Sequence, residues 1–335
     1  MLLNQDFLKL RLLSLNLILV ATFYSAQEKD SINSPKNNLP EKVTAVVADK
    51  FPMARLVNVE YDHTMPYRLT SKYLDSELPE GKVNSISQVK VSSNITLIKK
   101  QKWSVGTTLN YQYISANTDG TNFFNGQQSL NDHTQDFHYH SESLNLTYYS
   151  RIFKKIVVFS GTATIDGSEQ HFERLRGLVT ATMVLKADSR TKMTLGLVGL
   201  IDPNAIVPTF ITFSYEHKFN NGWTIDAILP RWVYLRKDVS SSGRISVGTE
   251  LSGTMFYVYN NDKAYTFTQM DINSGVMYEQ RLGKSFILSA KTGMRNSPTS
   301  RLLEKNRSFS DYIFESKSKP SLYFNVGISF NPFKN

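Results

Sequence analysis

The sequence predicts an all-β protein: a closed, antiparallel, up-and-down transmembrane β-barrel of about 14 strands. Three observations lead to this fold class. Apolar and polar residues alternate in one run after another from about residue 53 onward, and a period of two is typical of strands. The runs extend over about 10–15 residues, where a soluble sheet uses five or six and a tilted membrane strand about 9–11. Their polar faces carry Lys, Asn, Gln, Glu and Asp, which suits a wet lumen better than a packed core.

The N-terminal segment is predicted to lie outside the barrel. Residues 1–26 have the features of a cleaved secretory signal peptide: Lys9 and Arg11, the apolar stretch LLSLNLILVATF and a cleavage site before Gln27. Residues 27–51 are polar and contain prolines, which predicts a flexible periplasmic lead-in. Residues 52–335 then form the barrel, and we expect the mature chain in the outer membrane of a Gram-negative bacterium.

Composition excludes several other classes of protein. Hydrophobic residues make up 41% of the chain and the mean hydropathy is −0.30, which is too polar for a helical membrane bundle. The chain has no cysteine, so disulfides, thiolate metal sites and a lipoprotein anchor are excluded. The net charge is +9, but Lys and Arg are scattered, mostly in pairs at turns. We therefore expect no nucleic-acid partner.

Four runs show the alternation most clearly, and we expect their apolar rows to face lipid and the intervening residues to face the lumen. The apolar rows are Val83, Val89, Val91, Ile95 and Leu97; Trp103, Val105, Thr107, Leu109, Tyr111 and Tyr113; Val157, Phe159, Gly161, Ala163 and Ile165; and Phe286, Leu288, Ala290 and Met294.

The connections predict the strand count. Short turns are expected at 99–102, 150–155, 186–190, 220–222 and 281–284, alternating with longer connections at 62–82, 116–135, 166–176, 202–207 and 295–320. This alternation runs through the whole chain only if residues 223–237 form two short strands that meet near Pro230. Proline cannot donate to a central ladder, so a break there is physically reasonable. The count is then 14, with 12 as the alternative.

The last strand predicts two partners. In SLYFNVGISF the apolar row is Leu322, Phe324, Val326, Ile328 and Phe330, and the residues between them are polar or small. We expect this row to contact outer-membrane lipid. The strand also resembles the C-terminal signature through which outer-membrane barrels are passed to the barrel-assembly machinery.

Several segments together resemble one family of proteins. They are the signal ending SAQ, the polar lead-in, the first strand ARLVNVEY, the segment ILPRWVYLRK and the finish SLYFNVGISFNPF. The chain resembles a domain-of-unknown-function family of bacterial outer-membrane β-barrels. The resemblance implies the fold and the location, and it supplies no activity and no site residues.

One cluster of residues could bind a metal ion. Asp136, His138, His140 and Glu142 fall on one face of a strand, where residues two apart lie about 6.5–7 Å from each other. Two imidazoles at this spacing can converge on Zn²⁺ or Cu²⁺. The row continues as Leu144, so the predicted weak metal site lies on the outer wall. The alternative is a solvated extension of the strand.

A second cluster is predicted inside the barrel. Glu250, Asp271 and Lys291 point inward on neighbouring strands at similar heights. They predict either a charged constriction that filters solutes or mutual neutralisation across a largely closed lumen.

Two functions are compatible with these features. The first is a passive channel or small-solute transporter, because a barrel of 14 strands can hold a lumen. The alternative is a structural or surface-interaction barrel that contacts partners through loops 116–135 and 295–320. An enzyme is not expected, since Ser168 and His171 lack a defined acidic partner. No cofactor is expected either, because phosphate-binding glycine loops are absent from the sequence.

Overall fold

The computed structural model describes residues 39–119, 132–260, 263–305 and 307–332. These described residues form one α-helix, α1 (Leu39–Lys50), a 3-10 turn (Pro52–Ala54) and sixteen β-segments. The segments are β1 (Val57–Thr64), β2 (Tyr67–Tyr73), β3 (Ser76–Lys99), β4 (Trp103–Asp119), β5 (Asp132–Ile152), β6 (Lys155–Gly167), β7 (Phe172–Ala187), β8 (Thr191–Ile201), β9 (Thr209–Lys218), β10 (Trp223–Leu229), β11 (Trp232–Asp238), β12 (Gly243–Asn260), β13 (Lys263–Leu282), β14 (Phe286–Glu304), β15 (Tyr312–Ser318) and β16 (Ser321–Phe330).

The sixteen segments make a closed barrel of 14 strands, as predicted. Segments β1 and β2 both run antiparallel to β3, one above the other, and so form a single strand of the wall. Segments β15 and β16 share β14 in the same way. The first and last strands then pair with each other, β1 with β16 and β2 with β15, which closes the barrel.

Both closing strands are interrupted beside a proline, Pro66 in the first and Pro320 in the last. Proline lacks the N–H that a continuous ladder needs at these places. The gap is bridged by the Ser321 hydroxyl, which donates to the carbonyl oxygen of Met65 at 2.7 Å. The seam therefore has a lower half, β1 with β16, and an upper half, β2 with β15, and hydrogen bonds join the two closing strands across the break.

Residues 223–237 form two short strands, as the alternation of connections requires. Segments β10 and β11 are antiparallel neighbours joined at Pro230 and Arg231. The prediction of 14 strands is confirmed, and the fallback count of 12 is wrong.

The predicted faces of the wall are confirmed at most positions. Large apolar side chains are exposed on the outside, including Leu146, Val179, Leu197, Ile211, Val247, Leu288 and Leu322, whereas Ser92, Ser246, Asn325 and Ser329 are buried inside. Val83 is an exception, because it is buried and lines the lumen. A β-bulge between Val83 and Ser85 shifts the register there, and one extra residue moves every side chain above it to the other face.

Three of the predicted long connections are wrong in extent. The segments predicted as loops 62–82, 166–176 and 295–320 are mostly strand, because β1–β3, β6–β7 and β14–β15 continue through them. Only short stretches remain as connections there, such as 168–171 and 305–311. Of loop 116–135, residues 116–119 and 132–135 are strand, and residues 120–131 lie outside the described residues.

The barrel wall is uneven in height. Strands β8 to β11 have 11, 10, 7 and 7 residues, whereas β12 to β14 have 18, 20 and 19. Six short turns, 100–102, 153–154, 188–190, 219–222, 239–242 and 283–285, mark one end of the barrel, here called the turn end. The opposite end, where the long strands project, is the tall end.

The tall strands close over the low part of the wall. Strand β12 contacts β5 across the lumen although six strands separate them in the sheet. Lower down, Val247 of β12 is exposed on the outside. Higher up the same row continues as Tyr257, which is covered by β6 and donates its hydroxyl to Asp166. The tall end is therefore a narrower tier built from β2–β5 and β12–β15.

Helix α1 occupies part of the segment that was predicted to be a flexible lead-in. Of residues 27–51, the structure describes 39–51, and 39–50 are helical. The signal peptide and residues 27–38 lie outside the described residues and stay predictions. No helix in the described part of the chain is long and apolar enough to cross a membrane.

Candidate functional site in the barrel lumen

Helix α1 lies inside the barrel at the turn end, held by ion pairs to the wall. Lys50 Nζ lies 2.7 Å from Glu216 Oε2 on β9 and 3.0 Å from Asp226 Oδ1 on β10. Asp49 pairs with Arg244 on β12 at 3.2 Å and with Arg281 on β13 at 3.3 Å. These pairs attach the C-terminal end of the helix to strands β9, β10, β12 and β13, on one side of the lumen.

The electrostatic surroundings of Asp49 stabilise its ion pairs with Arg244 and Arg281. Burial alone would raise the pKa of its carboxyl, but the charge and hydrogen bond of Arg244, helped by Arg281, outweigh burial and lower the pKa below its usual value of 3.8. Asp49 is therefore ionised at neutral pH and keeps its partners.

The residues that follow the helix pass through the lumen and are anchored at two further places. Arg55 is fully buried and donates to Ser329 Oγ at 2.7 Å and Glu279 Oε1 at 2.9 Å. The ring of Phe51 packs on Trp232 with centroids 4.7 Å apart, and the guanidinium of Arg231 lies 4.9 Å from the Phe51 centroid. Residues 39–55 thus form a plug, here meaning helix α1 and the segment that joins it to β1.

The structure brings together two of the three charges predicted in the lumen. Lys291 Nζ lies 3.0 Å from Glu250 Oε1, and Tyr234 donates its hydroxyl to the other carboxylate oxygen at 2.7 Å. A row of opposed glycines, Gly248, Gly275 and Gly293, makes room on the neighbouring strands. A Cβ on Gly275 would lie 2.1 Å from the carbonyl oxygen of Thr292, so the sheet can bend this sharply only without side chains there.

Asp271, the third predicted charge, belongs to a different group. It is buried at a β-bulge of β13 and accepts hydrogen bonds from Ser297 at 2.5 Å and Gln269 at 2.8 Å. Nearby, Arg295 makes a bidentate pair with Asp62 at 2.6 and 2.9 Å, beneath the ring of Tyr323. The lumen charges are thus paired or hydrogen-bonded in separate groups, which matches mutual neutralisation more than a ring of free charge.

A third group, here called the clamp, joins β12 to β5–β7. Asp166 is fully buried and lies 2.5 Å from Arg176 Nε. It also accepts hydrogen bonds from the hydroxyls of Tyr139 and Tyr257. Arg174 extends the clamp to Asp202 at 2.9 Å. Because Tyr257 lies on β12, the clamp attaches β12, which crosses the tall end, to strands β5–β7.

The described residues of the lumen enclose cavities, of which three have volumes above 400 Å³. An upper cavity of about 620 Å³ lies in the tall end, and a middle cavity of about 410 Å³ shares Thr254 with it. A lower cavity of about 530 Å³ opens beside α1 at the turn end. The middle cavity reaches Met53 and the lower one reaches Lys50, so the plug separates these two spaces.

The predicted metal-binding row lies on the outer wall, but its imidazoles do not converge. His138 Nδ1 is 2.8 Å from the hydroxyl of Tyr111 on β4, whereas the ring of His140 packs edge-on against Phe172 on β7. Asp136 and Glu142 are exposed. Among the described residues, no three His, Cys, Asp or Glu side chains could hold a metal ion together. The weak metal site stays a prediction without geometric support.

Ser168 and His171 are not arranged for nucleophilic catalysis. The hydroxyl of Ser168 is buried and lies 2.5 Å from that of Tyr259. It also accepts the backbone N–H of Gln170 at 3.1 Å. The link to His171 is a backbone hydrogen bond, from Ser168 N–H to the carbonyl oxygen of His171 at 3.0 Å. The Ser168 hydroxyl is therefore engaged in hydrogen bonds at the tall end, close to the clamp.

Sequence reasoning missed several buried charges of the lumen because it ended the strands too early. The missed residues are Asp62, Asp166, Arg174, Arg176 and Arg295. The signal was the alternation itself, which continues from Lys291 through Gly293 to Arg295 without a break. The pairing of these charges with residues far along the chain carried no local signal.

The sequence profile of a family described as a domain of unknown function, DUF6268, matches residues 65–331. The chain belongs to this family. The match covers the barrel from β2 through β16 and begins after the plug. The predicted family resemblance is confirmed. Among curated proteins, none matches this member of the DUF6268 family.

Three solved structures align with this DUF6268 protein over most of both chains. The Pseudomonas putida toluene transporter TodX is 10% identical, with 82% of this chain and 89% of that chain covered and a TM-score of 0.37. An outer membrane channel from Pseudomonas putida F1 is 8% identical, with 82% and 94% covered and a TM-score of 0.35. The Escherichia coli outer membrane protease OmpT is 7% identical, with 82% and 96% covered and a TM-score of 0.24. Similarities with TM-scores this low carry no functional conclusion for this chain.

Proposed function

We propose that this protein is a bacterial outer-membrane channel or transporter for a small solute, in a closed conformation. The main support for this proposal is the presence of three cavities inside a barrel whose outside is apolar. Exposed apolar rows around a closed wall are expected in contact with lipid, and a polar interior is expected in contact with water. A purely structural barrel would not require lumen cavities of 410–620 Å³.

The plug is the proposed obstruction at the turn end. It is a short segment held mainly by ion pairs and hydrogen bonds, with no disulfide and one aromatic contact at Phe51. These pairs are largely buried, with the Lys50 and Asp226 side chains 9% and 1% exposed, so opening would require water from the adjoining cavities to replace them. The paired Glu250 and Lys291 then line the path without acting as a strong charge filter.

The interaction-barrel alternative has less support. Of its two contact loops, residues 295–304 and 312–318 are wall strands. We retain the assembly machinery as a proposed partner, recognised through β16, whose outward row of Leu322, Val326 and Ile328 is exposed. Export by the predicted signal peptide of residues 1–26 belongs to the same proposal.

Planar-bilayer conductance of the refolded protein tests this function. The variant Asp49→Asn/Lys50→Met removes both charges that pin the helix, and we expect its conductance to exceed that of wild type severalfold. Lys284→Met is the matched control, since Lys284 is an exposed lysine at the same end, and it should conduct like wild type. If compactly folded wild type and double variant both fail to conduct, the channel proposal is wrong.

A further inference from the structure

The upper cavity combines apolar side chains with polar ones. The middle cavity is lined by charged residues, among them Glu60, Lys90 and Asp202. The apolar side chains of the upper cavity include Leu69, Ile86, Ile114, Phe256, Leu302 and Phe314, and charged side chains such as Lys82 and Glu169 line it as well. A chamber of about 620 Å³ lies in the size range of small-molecule sites.

One wall of this chamber is a stack of three aromatic rings. Phe137 on β5 stacks on Phe256 on β12 with centroids 4.3 Å apart and planes 28° apart. Phe256 then stacks on Phe267 on β13 at 4.6 Å and 24°. Phe256 lies between the other two rings, so a further ring can contact the stack at the ring edges or on the outer rings Phe137 and Phe267, in offset or edge-on geometry.

Several polar groups of the chamber have partners within the wall. Gln88 accepts a hydrogen bond from Gln112 at 2.8 Å, and Gln269 accepts one from Ser300 at 3.0 Å. Lys82 and Asp119 pair with each other at 3.1 Å, and both are exposed. The exposed carboxylates of Asp136 and Glu169 also line the chamber. An anionic ligand would therefore lose hydration and meet like charge, and that loss is costly.

We propose that the upper chamber binds an aromatic small molecule without negative charge, which packs its ring against the stack of Phe137, Phe256 and Phe267. This inference rests on the proposed channel for its biological role, since it names the solute class that the lumen would admit from the tall end. Binding itself requires only the folded barrel. An anionic or strongly hydrated solute is not expected to bind there.

Binding of the uncharged dye N-phenyl-1-naphthylamine to the full-length mature protein in lipid nanodiscs tests the proposal, with empty nanodiscs as background. Ala116 lines the chamber, so Ala116→Trp should fill it and weaken dye binding at least tenfold. Ser115→Trp places the same side chain on the other face of β4 and should bind dye like wild type. Phe267→Leu keeps an apolar wall but removes one ring, and it should weaken binding about two- to tenfold.

Competition then tests the ligand class with a matched pair. Benzyl alcohol and cyclohexylmethanol have the same size and hydroxyl, and we expect benzyl alcohol to displace the dye at lower concentration. Heat-modified gel migration confirms that each variant is folded. The proposal is overturned if wild type binds no dye, if Ala116→Trp and Ser115→Trp bind alike, or if the two alcohols compete equally. Conductance without dye binding would refute the chamber alone, and dye binding without conductance would refute the channel alone.

Discussion

At the scale of single residues, the lumen is organised by buried arginines that each satisfy several partners. Arg295 donates to Asp62, Thr64 and Asn273 at 2.6–2.9 Å. Arg55 and Arg174 have comparable sets. A planar guanidinium has five donors in a fixed geometry, against three on a lysine ammonium, and so can bond to several strands at once. These residues therefore fix the distances between strands inside the barrel.

The first stability prediction concerns Arg295 and Asp62. Arg295→Met leaves the Asp62 carboxylate buried without its partner, and we expect the free energy of unfolding to fall by about 3–5 kcal/mol. In Arg295→Met/Asp62→Leu neither charge remains, so much of the loss should be recovered. Denaturant unfolding in detergent micelles measures both. A double variant that is as unstable as the single one would contradict this explanation.

At the scale of secondary-structure elements, alternation predicted the strands well and failed where the register changes. The outward rows of β4, β14 and β16 follow from the sequence because lipid and lumen impose opposite polarity on successive residues. Val83 was misplaced because a β-bulge leaves no mark on hydrophobicity. Helix α1 was missed because it is short and mixed in polarity, and its ion pairs to strands β9–β13 are invisible locally.

Docking of α1 is expected to depend on pH through Asp49. The lowered pKa of Asp49 means that its contribution to docking is complete above its usual value of 3.8 and is lost as the pH falls through the lower value in the folded state. Spin-labelled Val47→Cys, in a chain that has no native cysteine, should be immobile at pH 7 and should gain mobility as the pH is lowered below 3.8. With Asp49→Asn added, mobility should already rise at pH 7. A label equally mobile in the two variants at pH 7 would disprove the role of these ion pairs.

At the scale of the whole molecule, the barrel is two tiers and not one cylinder. The low strands β8–β11 end beneath the tall end, and β12 crosses to β5 above them. Sequence alone could give the 14 strands and their faces, but not this closure. It depends on contacts such as Phe137 with Phe256 and Tyr257 with Asp166, which join residues distant in the chain and separated in the sheet by six and five strands respectively.

Cross-linking tests the narrow upper tier. Phe137→Cys/Phe256→Cys places two thiols on β5 and β12 where the native rings lie 4.3 Å apart at their centroids. We expect a short bismaleimide to link them within one chain, giving a compact band of altered mobility on denaturing gels. The single variants Phe137→Cys and Phe256→Cys should show no such band. A round barrel would hold these strands too far apart, and the absence of linkage in the folded double variant would refute the two-tier shape.

The closing seam has a consequence for how the molecule is made. Val57 lies opposite Phe330, so the last joint unites residues from nearly opposite termini of the polypeptide, whereas every other neighbour pair in the wall is a hairpin or a local connection. The chain entropy lost on joining such remote residues makes this the slowest contact to form. Until the final ten-residue strand is in place, β1 and β14 are both unpaired edge strands, which are prone to aggregation. Biogenesis of this barrel therefore depends most on its C-terminal residues, and helix α1, which directly precedes β1, is positioned to become enclosed at the same moment.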